Sequence, residues 1–346
     1  MSRPLMRCAC GIDVHAHVVP EHFPAPLAPA GWSSEAAPDV NGRCHRSLRV
    51  DGRFYRTVSD ACWSAPRRLS DFDAMGLSHQ VVSPMPELLS YWLDLAAAAP
   101  LIRYLNDTTA ALCADSGGRV LGLAAVPLQD VNAAIAELQR AVGTLGLVGV
   151  EIGSNVNGLP VGHASLEPFF AACVALDVPV FVHGLKPTGG DRLVGPAALQ
   201  QVLGYPTDVG LAAASVITGG LLQRLPSLRL AFSHGGGTLA ALLPRLQQGW
   251  QVFPALAESL PESPVEQARR LYFDTLVFDG ATLRHLVHSF GPQALMLGTD
   301  HPFNFSEPQP LQRLADAGFD DAICRALAFD NARRFLGRAA PDVSTS

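Results

Sequence analysis

Eight short, almost wholly apolar runs recur along this chain, and longer stretches with apolar residues at helical spacing separate them. The runs are Gly11–Val18, His79–Pro84, Val120–Pro127, Leu147–Ile152, Pro179–His183, Leu228–His234, Leu271–Phe278 and Leu295–Asp300. Strands rich in Val, Leu and Phe, with no polar face, belong to parallel sheets covered by helices. The helical stretches are Tyr91–Asp115, Asn132–Leu145, Leu166–Leu176, Val209–Leu225, Leu239–Phe253 and Ala281–Phe290. Asp130 and Asp279 stand where N-caps are expected, and Gly146 and Gly291 where helices stop. Eight strands alternating with helices predict an α/β fold, a closed (β/α)8 TIM barrel. An open doubly wound sheet is the rival, but no Gly-rich phosphate loop follows the first run.

Residues 20–68 break the rhythm. They are rich in proline and poor in helical signals. Within them Ser47–Val50 and Phe54–Val58 flank Asp51-Gly52, a hairpin turn signal. We read a small insertion, or cap, after the first strand of a single domain spanning residues 1–346, with a loose tail over 338–346.

Composition narrows the class. Of 346 residues, 48% are hydrophobic and 16% charged, enough apolar material for one large core. The net charge of −6, with no basic stripe, gives nucleic-acid binding no electrostatic support. No run approaches the roughly 18 apolar residues of a membrane span. Arg3 and Arg7 are followed by no apolar signal segment, and seven scattered cysteines include no CxxC pair. Reduced thiols in a cytoplasmic protein are expected.

The polar residues that end apolar runs carry the chemistry. His15 and His17 lie two apart on the first strand, so both face one side and form a chelating pair for a divalent metal. His183 ends the fifth run, His234 the sixth, and Asp300 the eighth. Barrel enzymes collect their catalytic groups at these C-terminal strand ends. Packing explains one such histidine more readily than four together with an aspartate.

In this order the set resembles the amidohydrolase superfamily, and within it the amidohydrolase-2 group of semialdehyde decarboxylases. The phrases Asp13–His17, Gln129-Asp130 after Val126-Pro127, His234-Gly235-Gly236-Gly237 and Gly298-Thr299-Asp300-His301-Pro302-Phe303 carry the resemblance, which spans about residues 11–337. It implies one divalent metal held by His15, His17, His183 and Asp300, with His234 as the acid/base beside it, not a ligand. Zinc is the expected metal, with manganese the alternative. The fourth run ends Glu151-Ile152-Gly153 without the lysine of binuclear members, so Glu151 bridging a second metal is the lesser reading. Asp13 is a candidate to orient one of the ligands through a hydrogen bond.

The resemblance further implies that Arg56 binds a substrate carboxylate, and that Arg245 does so from a neighbouring subunit, which would make the enzyme a homodimer. A guanidinium fork suits a carboxylate. The chain departs from the group at Gly184-Leu185-Lys186-Pro187, where a Pro-Trp-Asp run is usual, and at His301, where a tyrosine is usual. Lys186 is therefore a candidate contact for a second acid group. The expected reaction is nonoxidative decarboxylation of a small unsaturated or aromatic carboxylic acid. Metal-dependent hydrolysis or hydration of an amide, lactone or conjugated acid at the same site is the alternative.

Overall fold

The computed structural model describes residues 11–341. The expected features at Arg3, Arg7, Cys8 and Cys10, and the end of the tail from residue 342, lie outside the described residues.

Eight parallel strands form the barrel in chain order: Gly11–Val18, Leu77–Pro84, Val120–Ala124, Gly149–Gly153, Val180–His183, Leu230–Phe232, Tyr272–Asp274 and Leu295–Met296. Backbone bonds tie the eighth strand and the loop after it to the first. Val14 N–H donates to the Leu297 carbonyl at 2.9 Å and Asp300 N–H to the His15 carbonyl at 2.8 Å, so the ring closes. The protein is a (β/α)8 barrel, as the alternation predicts.

Apolar residues fill both sides of the wall. Phe232, Val150, Val180 and Val182 pack outward against helix residues such as Leu138, Phe169 and Ile217. A separate cluster of Ile12, Val14, Val81, Leu123, Phe181 and Met296 draws on strands all around the ring, and Phe329 and Phe335 of the C-terminal segment pack against it. That cluster supports the site: the His15 ring lies 5.1 Å from the Phe181 ring, centroid to centroid.

The last three strands are shorter than the apolar runs. The ladder stops at Phe232, Asp274 and Met296, before His234 and Asp300. Both residues adopt left-handed backbone, at φ 54° and 64°. A sharp turn, not an extended strand end, therefore presents each side chain.

The insertion holds one strand more than the sequence suggests. Trp32–Val40, Arg43–Val50 and Arg53–Ser59 form a three-stranded antiparallel sheet. Its turns are Asn41-Gly42 and Asp51-Gly52, and all four residues have positive φ, as two-residue hairpin turns require. A helix, Ala65–Ala74, begins inside the stretch read as insertion, with Pro66 in its first turn. This sheet carries Arg56 to the barrel mouth.

Both expected caps form. Asp130 accepts from Ala133 N–H at 2.9 Å and Asp279 from Thr282 N–H at 2.7 Å. Asp279→Ala should lower stability by removing the cap, read as a lower urea midpoint at unchanged slope.

Candidate active site and metal centre

The structure brings His15, His17, His183 and Asp300 together at the C-terminal mouth of the barrel. One donor atom from each lies within 4.8 Å of the others. His15 Nε2 is 3.1 Å from His17 Nε2, and Asp300 Oδ1 is 3.1 Å from His17 Nε2 and 3.7 Å from His15 Nε2.

In each imidazole Nδ1 is engaged and Nε2 is left to face the others. His15 Nδ1 donates to Asp274 Oδ2 at 2.6 Å. His183 Nδ1 donates to the Gly184 carbonyl at 2.8 Å. His17 Nδ1 lies 3.3 Å from Ser83 Oγ. A proton fixed on one ring nitrogen puts the lone pair on the other, where a metal takes it. His183 Nε2 is buried and has no hydrogen-bond partner.

Electrostatics favour a cation here. Burial lowers the pKa of His17 and puts that of His183 well below the usual value, so both are neutral donors. Burial also opposes charge on His15, but the bond to Asp274 and the nearby Asp300 and Asp13 carboxylates hold its pKa up at about 9. The anionic surroundings that favour an imidazolium favour a metal cation equally. Three nitrogens and one carboxylate oxygen suit a divalent transition metal, so the residues fit the group.

Asp274 supports the centre and was not anticipated. It ends the seventh strand and accepts four bonds: His15 Nδ1, His234 N–H at 2.9 Å, Gly235 N–H at 2.8 Å and Leu276 N–H at 3.0 Å. Burial works against its charge, yet these donors keep its pKa below the ordinary range. Its signal was one carboxylate within the apolar run Leu271–Phe278. Asp13, expected to orient a ligand, bonds the His15 backbone N–H at 3.0 Å and not the ring. Its remaining bonds are accepted from Gln80 Nε2 at 2.8 Å, Thr299 Oγ1 at 2.6 Å and Thr299 N–H at 3.1 Å, and burial raises it to about 6. Glu151 is not among the converging donors. It accepts from the Ser83 hydroxyl, and burial raises its pKa to about 8.

His234 lies beside the cluster, its ring 4.9 Å from that of His183 and 5.5 Å from that of His15. Burial, and then the positive His15, lower its pKa to about 4. The three glycines after it all have positive φ. A Cβ on Gly237 would sit 1.7 Å from the Pro206 carbonyl oxygen, and one on Gly236 2.5 Å from Phe273. Only glycine lets this turn press against its neighbours and present the histidine.

A cleft opens over the centre. His17, His183, His234, Asp300 and Arg56 line it, together with Glu87, Tyr205, Phe303 and others. The Arg56 guanidinium lies over the Phe303 ring, 4.4 Å from its centroid, and forms no ion pair among the described residues. Two expected contacts lie elsewhere. Arg245 is exposed on the helix Leu239–Val252, outside the cleft of its own chain. Lys186 holds its Nζ 3.5 Å from the Trp92 ring centroid, in a neighbouring cleft with Asn155 and Asn157. Sequence reasoning missed Glu87 and Tyr205, which sit in a loop and at the start of a helix, where no periodicity singles them out.

A family model described as amidohydrolase matches residues 12–338. The chain belongs to this family. It is 34% identical to the 2-amino-3-carboxymuconate-6-semialdehyde decarboxylase of Dictyostelium discoideum, an alignment covering 94% of this chain and 91% of that one. The apo structure of an IDCase from Metarhizium anisopliae superposes with a TM-score of 0.79 at 21% identity, covering 94% of this chain and 97% of that one. A dihydroxybenzoic acid decarboxylase from Polaromonas, solved with manganese and the inhibitor 2-nitroresorcinol, gives 0.73 at 20% identity, covering 94% and 96%.

Asp274→Asn should keep the fold but leave His15 poorly oriented. We expect divalent-metal affinity to fall about 10- to 100-fold, measured by competition with a chromogenic chelator. Unchanged affinity would remove Asp274 from the support of the centre.

Proposed function

We propose that this protein is a metal-dependent decarboxylase that releases carbon dioxide, without an oxidant, from a small unsaturated or aromatic carboxylic acid. Its named relatives in the amidohydrolase family are decarboxylases. The single observation that carries the site assignment is the convergence of three histidines and Asp300 under a cleft that also holds His234 and an unpaired Arg56.

His15, His17, His183 and Asp300 would hold one divalent metal, which when bound supplies a Lewis acid and a template for the oxygen atoms of the substrate. The nitrogen-rich set favours zinc, with manganese, present in the Polaromonas neighbour, as the alternative. Arg56 binds a carboxylate of the substrate. His234 handles the proton: it takes one from a hydroxyl of the substrate or from water and passes it to the carbon that bears the departing carboxylate. The bond from that carbon to the carboxylate then breaks, its electron pair restores the conjugation of the product, and carbon dioxide leaves. Phe303 and Tyr205 line the cleft and give it apolar surface.

Arg245 completes the site from a second copy of the chain. It has no ion pair among the described residues, and Leu242, Val252 and Phe253 are exposed on or just beyond the same helix, at 45%, 57% and 60%. The active form is thus a homodimer. No helix among the described residues is long and apolar enough to cross a membrane, and we assign the enzyme to the cytoplasm.

His234→Ala should retain near-normal metal content while kcat falls about 10²- to 10⁴-fold. Loss of metal together with activity would make His234 a ligand instead. For Arg56→Ala we expect a higher KM at nearly constant kcat, and no kinetic change would take Arg56 out of the site. Mixing inactive Arg245→Ala chains with inactive His234→Ala chains should restore activity, because one hybrid site regains both residues. No recovery after verified subunit exchange would end the shared-site reading.

A further inference from the structure

The cleft contains a carboxylate that the reaction above does not use. Glu87 follows the second barrel strand in a short helical turn, Pro86–Leu89, and lines the cleft with Arg56 and His17. It is only 9% exposed. No Lys, Arg or His among the described residues forms an ion pair with it. A buried carboxylate without a counter-charge is expensive to keep, and a site that binds acids gains nothing from a second negative charge unless that charge recognises something.

Glu87 is held in place. The Tyr205 hydroxyl donates to its Oε1 at 2.6 Å, Gln200 Nε2 donates to the Tyr205 oxygen at 3.2 Å, and the Tyr55 hydroxyl is a second hydrogen-bond partner of the carboxylate. Tyr205 in turn packs edge-on against His183, with ring centroids 6.1 Å apart. The carboxylate is thus fixed relative to the metal centre. A carboxylate offers about four lone-pair positions, so these bonds leave acceptor capacity towards the cleft.

We propose that Glu87 is a specificity-determining residue that accepts a hydrogen bond from an amino or hydroxyl group of the substrate. The cleft then has two unlike poles. Arg56 takes a carboxylate, and Glu87 takes a donor group on another edge of the same small molecule. The substrate class narrows accordingly, from small unsaturated acids in general to acids bearing a further amine or hydroxyl. An acid without such a donor leaves the cleft-facing acceptor positions of Glu87 desolvated and unfilled, which is how a polar site rejects an analogue. This inference rests on the decarboxylase reading.

The test uses metal-loaded enzyme and matched probes: 2-hydroxybenzoate, whose carboxylate and adjacent hydroxyl would be taken by Arg56 and the metal and leave no donor for Glu87, against its 4-amino, 5-amino, 4-hydroxy, 5-hydroxy and 6-hydroxy derivatives. Dissociation constants are measured by calorimetry for the wild type, Glu87→Gln and Glu87→Leu. We expect at least one donor-bearing acid to bind the wild type about 10-fold or more tighter than 2-hydroxybenzoate, the range of one bond to a charged group. Glu87→Leu should abolish that preference and leave 2-hydroxybenzoate within about threefold of its wild-type value. Glu87→Gln, which keeps a carbonyl acceptor, should fall between. Equal weakening of all probes in Glu87→Leu would show that the residue only holds Tyr205, and would overturn the proposal. So would a wild type that binds every acid alike, while the decarboxylase reading stands. A wild type that binds none of the acids overturns both.

Discussion

One buried carboxylate organises the reacting end of this barrel. Asp274 fixes the His15 ring through Nδ1 and at the same time caps the backbone of His234 and Gly235. It therefore sets the distance between His15 on the first strand and His234 after the sixth. Each of these groups would cost free energy if buried alone. Together they satisfy one another, and they are rigid because all the bonds end on one side chain.

The second support runs through Asp13. It joins the His15 backbone, Gln80 and Thr299, and Gln80 in turn accepts from the fully buried Arg68, which also donates to the His17 carbonyl. The neighbouring His301 carries this polar layer out to Asp71 and Arg43. Burial keeps Arg68 below its usual pKa, at about 10, and takes His301 down to about 4. Beneath the metal centre there is thus a continuous hydrogen-bonded layer, and below it the apolar barrel filling. Polar groups at this depth are tolerated because nearly all are paired.

Much of this was legible in the chain, and the reason is geometric. Ladder strands buried on both faces show as apolar runs, and a polar residue closing such a run has few structural excuses. That logic found His15, His17, His183, His234 and Asp300. It overran the last strands, because apolar residues continue into turns where the ladder has already ended and left-handed backbone takes over. It passed over Asp274, which sits inside an apolar run instead of closing it. The first strand of the inserted sheet, Trp32–Val40, is mostly exposed and carries Pro38, so it lacks the alternation that marks a half-buried strand. Glu87 and Tyr205 reach the cleft from irregular backbone, and their meeting depends on tertiary contact between parts of the chain more than a hundred residues apart.

The inserted sheet has a meaning for how such a catalyst can be retuned. It is built from two tight hairpins outside the barrel ladder, and among the converging donors none comes from it. Yet it delivers the Arg56 guanidinium to the cleft over the converging donors. Under the proposed function, grip and chemistry are housed in separable parts: lengthening or recharging those hairpins would change which molecule is welcomed while the barrel floor stays as it is.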